Sequence, residues 1–233
     1  MRSISGSESR HDPAAEQALL EGARALGVEL QPSQARSMLR LIAELAIWNR
    51  AYSLTAVSMP EAMLTHHLLD SIAASHDLAG LRIADIGTGA GFPGLPLAIL
   101  HPGRQFTLVD SVAKKIRFVT HCARLLGLAN VTAVHARAET LAAMGPFDTV
   151  IARAFAALPV LVGIVAPLCG PQTRVVALKG RLPRAEIDTL PADWILEESR
   201  AVRIPGLDAE RHILRLVRCP RLGAADVPGA SAH

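Results

Sequence analysis

Between a short apolar stretch, Leu81 to Ile86, and a helix-forming one, Leu95 to Leu100, the chain runs Gly87-Thr88-Gly89-Ala90-Gly91-Phe92-Pro93-Gly94. Alternate glycines at a strand end let the backbone turn tightly and come close to a bound ligand. The turn then delivers that ligand to a helix N-terminus, whose unpaired N–H groups favour anionic groups. This is a nucleotide-type cofactor loop at the carboxyl end of a first β-strand, and it commits the chain to an α/β fold. The plainer reading is a Gly-rich turn with no ligand, and the flanking strand and helix and an acid downstream weigh against it.

The spacing narrows the cofactor. A dinucleotide fingerprint, Gly-x-Gly-x-x-Gly, needs glycine at position 92, where Phe92 stands. The glycines fall instead at 87, 89 and 91, with Asp85 two residues ahead of the first. This acid-x-Gly-x-Gly-x-Gly run resembles the loop of Rossmann-like S-adenosylmethionine-dependent methyltransferases, so Asp85, Gly87, Gly89, Gly91 and Phe92 are expected at the cofactor. The next apolar stretch, Phe106 to Val109, ends in Asp110, 19 residues past Gly91. A carboxylate there accepts hydrogen bonds from both ribose hydroxyls, in NAD and S-adenosylmethionine alike.

From residue 81 strands and helices alternate. Strands are predicted at 82–86, 105–109, 130–135, 147–152 and 173–178, and helices at 92–101, 112–127, 157–169 and 183–190. Continuous apolar strands separated by helices indicate a parallel sheet covered on both faces. Trp194 to Ile204 and His212 to Val217, joined by Pro205 to Arg211, form an antiparallel hairpin at the sheet edge. The fold class is therefore α/β, a mostly parallel seven-stranded Rossmann-like sheet of the class I methyltransferase type. Upstream, apolar residues recur at helical spacing in three runs. The first extends from Pro13 to Leu26 and is stopped by Gly27. The second, from Pro32-Ser33 to Trp48-Asn49, carries Met38, Leu41, Ile42, Leu45 and Ala46 on one face. The third starts at Pro60 with Met63, Leu64, His67, Leu68 and Ile72 inward. The organisation is a disordered N-terminus (1–12), a helical extension (13–75), a methyltransferase domain (76–218) and a flexible tail (219–233).

Composition bounds the partners. No apolar run reaches the ~18 residues of a membrane span, and the polar start has no signal-peptide core, so a cytoplasmic chain is expected. Cys122, Cys169 and Cys219 form neither a zinc pattern nor a disulfide framework, and reduced, idle thiols suit a cytoplasm. His66-His67 with Asp70 invites a metal reading, but adjacent helix residues point apart, and no metal is expected. Residues 1–80 carry 6 basic and 9 acidic side chains, and residues 81–233 carry 18 and 12. The half with the cofactor loop is the basic half, which suits a polyanionic substrate.

Methyl transfer from a sulfonium is an in-line displacement that depends on positioning. Amino-group methylation usually carries an Asx-Pro-Pro-aromatic turn after the fourth strand. Here the chain reads Ile151-Ala152-Arg153-Ala154-Phe155. Cytosine C5 methylation needs an attacking thiolate, and no cysteine has the Pro-Cys or Thr-Cys setting. Guanine N7 needs only a pocket and cations, because its lone pair is free. Arg137, Arg153 and Lys179 follow the third, fourth and fifth strands, and Lys114, Lys115 and Arg117 follow Asp110. Trp48, Tyr52 and Phe92 are candidates for stacking on a base, but the favoured readings are a core position for Trp48 and the border of the cofactor for Phe92.

Several further stretches are Trp48-Asn49 to Leu54-Thr55, His67-Leu68-Leu69-Asp70-Ser71, Lys114-Lys115-Ile116-Arg117-Phe118, Arg153-Ala154-Phe155-Ala156, Leu178-Lys179-Gly180 and Glu210-Arg211-His212. With the glycine loop, in this order and spacing, residues 36–218 closely resemble the glucose-inhibited division protein B family, the bacterial 16S ribosomal RNA guanine-N7 methyltransferases. The resemblance implies methyl transfer from S-adenosylmethionine to guanine 527 of 16S rRNA in the small ribosomal subunit, without a general base, by a monomer. It implies that Gly87 and Phe92 line the cofactor loop, that Ala138-Glu139 flank the adenine, and that Arg153 meets the cofactor. It sets Arg137, Lys179 and Arg211 at the target guanine as positioning groups, and Lys114, Lys115 and Arg117 on RNA. Ser53, Ala138 and Ala209 depart from the family's common Asn, Val and Gly without removing a charge. Three rival readings stay open: a small-molecule methyltransferase on the same fold, an RNA-binding module with a relic pocket, and a nicotinamide oxidoreductase.

Overall fold

The computed structural model describes residues 12–219. The loose segments expected at 1–12 and 219–233 lie outside the described residues except for Asp12 and Cys219. Asp12 is an ordered helix cap, with its Oδ1 accepting from Ala14 N at 3.0 Å and Ala15 N at 3.2 Å. It opens α1 (Pro13–Ala25), which is followed by α2 (Pro32–Tyr52).

The sheet is built from β1 (Arg82–Ile86), β2 (Gln105–Asp110), β3 (Val131–His135), β4 (Phe147–Arg153), β5 (Cys169–Lys179), β6 (Trp194–Ala201) and β7 (His212–Arg218). Their order is β3-β2-β1-β4-β5-β7-β6. The first five strands pair in parallel, and β7 runs antiparallel to both β5 and β6. The hairpin therefore lies at the edge, with β7 inside and β6 outermost. Chemistry explains the choice. β7 buries Ile213 on one face and Leu214 and Leu216 on the other. β6 buries one face only and carries Glu197, Glu198 and Arg200, charges that blunt an exposed edge.

Helices cover both faces. α7 (Leu158–Val165) packs its Leu161, Val162 and Val165 with Ala84, Val150 and Val175 of the strands. α5 (Gly94–Leu100) and α6 (Ala113–Leu125) cover the other face, and the N-terminal helices join them there. Leu19, Met38, Leu41, Leu45, Phe106, Phe118 and Ile151 belong to one continuous core, so residues 13–75 have no separate core. α8 (Arg184–Asp188) is a short helix after β5. The predicted helix 157–169 ends early because Pro167, in the turn Ala166–Leu168, has no N–H to continue the ladder.

One element departs from its predicted form. In place of a single helix from Pro60, α3 (Pro60–Met63) and α4 (Asp70–Ile72) are joined by a π-helical stretch, Leu64–Leu69. The i→i+5 ladder changes the angular step, which periodicity of 3.6 does not anticipate. His67, Leu68, Leu69 and Asp70 are consequently all buried in succession.

The chain moves outward from β1 through β2 to β3 and then returns to β4 on the other side of β1. That reversal opens a crevice at the carboxyl ends of β1 and β4, where ligands bind in such sheets. The far end is tied by Asn130, whose Nδ2 donates to Ala98 O at 3.1 Å, His101 O at 3.3 Å and Arg104 O at 3.1 Å. Asn130→Ala strands these carbonyls and is expected to lower unfolding stability by about 2 kcal/mol. Urea denaturation with an unchanged slope checks it.

Candidate active site

The turn after β1 is held from beneath. Asp85 is fully buried, and its Oδ2 accepts from Thr88 Oγ1 at 2.6 Å and from Gly94 N at 2.8 Å. Gly94 begins α5, so the carboxyl satisfies one of the helix's orphan N–H groups. Burial pushes the Asp85 carboxyl up to about 6, against the hydrogen bonds from Thr88 and Gly94 and the Arg153 charge, which pull it down. The sequence reading sets Asp85 at the cofactor. In the structure its Oδ2 also braces the loop from beneath, because the strand's alternation turns the side chain towards Gly94.

Gly87 sits at φ +69°, and a Cβ there would come within 2.3 Å of Phe155 Cδ2. Gly89, at φ +61°, has nothing within 4 Å of where a Cβ would stand, leaving that side of the turn open. Gly91 abuts Leu95 instead. Gly89 N donates to Asp110 Oδ2 at 3.0 Å and Val112 N to Asp110 Oδ1 at 2.9 Å. Lys115 Nζ lies 3.6 Å from the same carboxylate. Each Asp110 oxygen keeps a further lone pair for a hydroxyl donor. Beyond β3, Ala138 is buried and Glu139 exposed in a single 3₁₀ turn, Ala138–Thr140.

Phe92 is buried and stacks on His67, with ring centroids 4.8 Å apart. Arg153 Cζ lies 5.9 Å over the Phe92 ring. Burial, then the charges of Arg153 and His66, lower the His67 pKa to about 4, with a backbone hydrogen bond opposing. The imidazole is therefore neutral at pH 7. Its Nε2 is 3.1 Å from Thr55 Oγ1.

Beside it one buried carboxylate takes two guanidiniums. Asp70 Oδ2 accepts from Arg153 Nη1 at 3.1 Å, and Oδ1 accepts from Arg211 Nε at 2.9 Å. Arg153 Nη1 also donates to His66 O, and Arg211 Nη1 to Glu210 O. Two cations on one anion leave a net positive charge, and Nη2 of each guanidinium makes no hydrogen bond among the described residues. Of the histidine–aspartate group, where no metal is expected, His67 takes part in a ring stack and Asp70 in an arginine clamp.

The predicted cations do not form one cluster. Lys179 ends β5 and donates to Ala156 O at 2.7 Å and Glu186 Oε2 at 2.9 Å, which leaves one of its three donors. Burial opposes ionisation of Glu186, but hydrogen bonds from Lys179 and Leu158 N and the Lys179 charge outweigh it and lower its pKa. Arg137 is exposed two residues past β3. At the usual strand spacing it stands about 14 Å from the end of β4 and about 19 Å from that of β5. The structure therefore separates Arg137 from Lys179 and Arg211 and sets it on the Asp110 side. Lys114 donates to Tyr52 O at 2.7 Å, and Arg117 is exposed. Asp70, His67, Glu186 and Phe155 line the site, although the sequence reading assigns none of them a role there.

A glycine turn at the reversal point of a mostly parallel seven-stranded sheet, with an acid ending the next strand, is a methyltransferase-like fold. TrmN from Thermus thermophilus is similar with a TM-score of 0.51 and 20% identity, over 67% of this chain and 53% of that one. A SAM dependent methyltransferase from Aquifex aeolicus matches with a TM-score of 0.50 and 14% identity, over 67% and 93%. Residues 34–214 match the family described as rRNA small subunit methyltransferase G. Proteins named ribosomal RNA small subunit methyltransferase G are 42% identical in Nitrosococcus oceani, over 88% of this chain and 96% of that protein, and 44% in Erwinia tasmaniensis, over 82% and 94%. The chain belongs to this family and is a methyltransferase.

Removing the shared carboxylate in Asp70→Ala leaves two guanidiniums facing each other, and a loss of about 2–3 kcal/mol is expected in urea unfolding. The His67 pKa in the folded protein, about 4, lies below the ordinary histidine value of 6.5. The unfolded chain binds more protons in between, so this contribution is complete above pH 6.5 and is lost as pH falls towards 4. His101, lowered to about 4 by burial and then by Arg104 and His76, acts in the same direction. Asp85, raised from 3.8 to about 6, acts oppositely as pH rises through that range. His67→Gln is therefore expected to make the fall in stability between pH 6.5 and 4 shallower, measured by thermal unfolding at stepped pH.

Proposed function

We propose that the protein transfers a methyl group from S-adenosylmethionine to N7 of guanine 527 in 16S ribosomal RNA of the small subunit, acting in the cytoplasm as a monomer. What carries the reading is kinship: the relatives are named for ribosomal RNA of the small subunit. The site is compatible. The open side of Gly89, the spare lone pairs of Asp110 and the turn at Ala138-Glu139 fit a nucleoside, and the free donors near Arg153 fit a carboxylate. When bound, S-adenosylmethionine supplies an activated methyl group.

The chain's own residues then have to orient and neutralise rather than abstract. Guanine N7 bears a lone pair and no proton, so the site needs no general base. Cys169 and Cys122 are held as thiols: burial pushes Cys169 up to about 12, and burial with the Glu44 charge pushes Cys122 up as well. Phe92, backed by His67, lies under Arg153. The spare donors of Arg153, Arg211 and Lys179 are the groups that would hold anionic or carbonyl oxygens of cofactor and nucleotide. Arg137 would meet the strand on the ribose side, and Lys114, Lys115 and Arg117 would add charge along α6.

The test is methylation of small subunits from a strain lacking the gene, using labelled cofactor and mapping of the modified base. A single N7-methylguanine in the 527 loop is expected. Transfer only to small acceptors, with salt-insensitive substrate affinity, would overturn the RNA reading, since phosphate contacts release counterions. Asp110→Ala is expected to weaken cofactor binding about ten- to hundredfold while RNA binding persists. Lys179→Ala is expected to lower turnover or RNA affinity while the cofactor still binds. Calorimetry with cofactor, alongside single-turnover transfer, separates the two.

A further inference from the structure

Outside the crevice, an open groove of about 610 Å³ runs between the end of α2 and α6, lined by Trp48, Arg117, Thr120, His121, Arg124 and Leu125. We propose that this groove is a second contact for the RNA substrate, holding a single-stranded segment with a base against Trp48 and His121 and phosphates at Arg117 and Arg124. The proposal rests on the RNA methyltransferase reading and extends it to a surface beyond the reacting site.

The groove's floor is aromatic. The Trp48 ring lies 5.1 Å from His121 and 5.3 Å from Tyr52, and Phe118 meets it edge-on at 5.5 Å. Phe118 is buried in the core and fixes Trp48 from behind, while Tyr52 is 44% exposed and prolongs the aromatic surface. Bases stack on such platforms with little sequence preference. The groove's rim is cationic. Arg117 and Arg124 are exposed, and neither makes an ion pair among the described residues. They stand two turns apart on one face of α6, about 10 Å along its axis, with His121 between them. The neighbouring carboxylate, Glu44, is already bonded to His121 at 2.8 Å. Guanidiniums beside an aromatic floor match phosphates beside bases.

Position supports the same occupant. α6 begins three residues after Asp110, and the Lys114–Tyr52 hydrogen bond pins its start to the end of α2. The groove therefore leads away from the carboxyl end of the sheet, where the reacting base would sit.

Emission from Trp48 reads the groove directly. The chain has 2 tryptophans, and the other, Trp194, is 4% exposed on the far edge strand with Arg218 over its ring. The full-length protein is titrated with a short single-stranded RNA and, separately, with inorganic polyphosphate. RNA is expected to quench Trp48 emission and shield it from acrylamide, and polyphosphate is not. The Arg117→Ala/Arg124→Ala variant is expected to keep its cofactor affinity. Its slope of log affinity for RNA against log salt should fall by about 1.4. Trp48→Phe, which keeps a ring against Phe118, should weaken RNA binding only a few-fold and abolish the signal. Methylation of RNA with Trp48 emission unchanged, or equal quenching by polyphosphate, overturns the proposal alone. So does binding to the assembled subunit without any binding to single-stranded RNA, which would make the groove a protein contact. Absence of transfer to every ribosomal RNA would overturn the functional reading and this proposal with it.

Discussion

The carboxyl of Asp85 holds together the two halves of the turn on which the site is built. Its Oδ2 takes Thr88 Oγ1 from inside the turn and Gly94 N from the start of α5. The glycines between them allow the backbone angles but do not select one arrangement. A fully buried carboxyl with two donors does, because releasing either donor would leave a polar group unpaired in the core. From this brace Gly89 N reaches Asp110 on β2, and Phe92 is set beneath Arg153.

The N-terminal helices complete the other wall. They share a core with α5 and α6, and their π-helical stretch brings His67 against Phe92 and Asp70 between Arg153 and Arg211. Asp70 holds the two arginines through separate oxygens, so the guanidinium on β4 and the one preceding β7 are oriented together. The strain next to Arg153 has a matching use. Ala154 adopts φ +49°, a left-handed conformation that costs about 1–2 kcal/mol for a residue with a Cβ. The turn carries Phe155 over Gly87, where only a glycine leaves room for the ring.

The main elements of the sheet were legible because parallel strands buried on both faces must be apolar throughout, and the helices between them must be amphipathic. Asp110 was legible as the acid ending a strand. Asp85 was legible as part of a motif, but its hydrogen bonds to Thr88 and Gly94 were not, since the motif does not say which atoms a side chain meets. The cations after strands were legible as strand-end residues but not as a group. Grouping depends on sheet order, and β3 lies across two strands from β4. The partners that hold Lys179 and Arg211, Glu186 and Asp70, are seven and 141 residues away in sequence, and no local pattern pairs them.

Sequence alone determined what depends on neighbours along the chain: the glycine turn, the alternation of strands and helices, the order of motifs that marks the family, and the basic second half. Tertiary structure decided what depends on residues meeting across the fold. It put β7 inside β6, widened the third helix into a π-turn, turned Asp85 inward and tied most of the cations to particular carbonyls and carboxylates. The physical reason is that backbone propensity and hydrophobic period act over a few residues. Pairing of buried charge is instead settled by whichever partners the packed core brings within hydrogen-bonding distance.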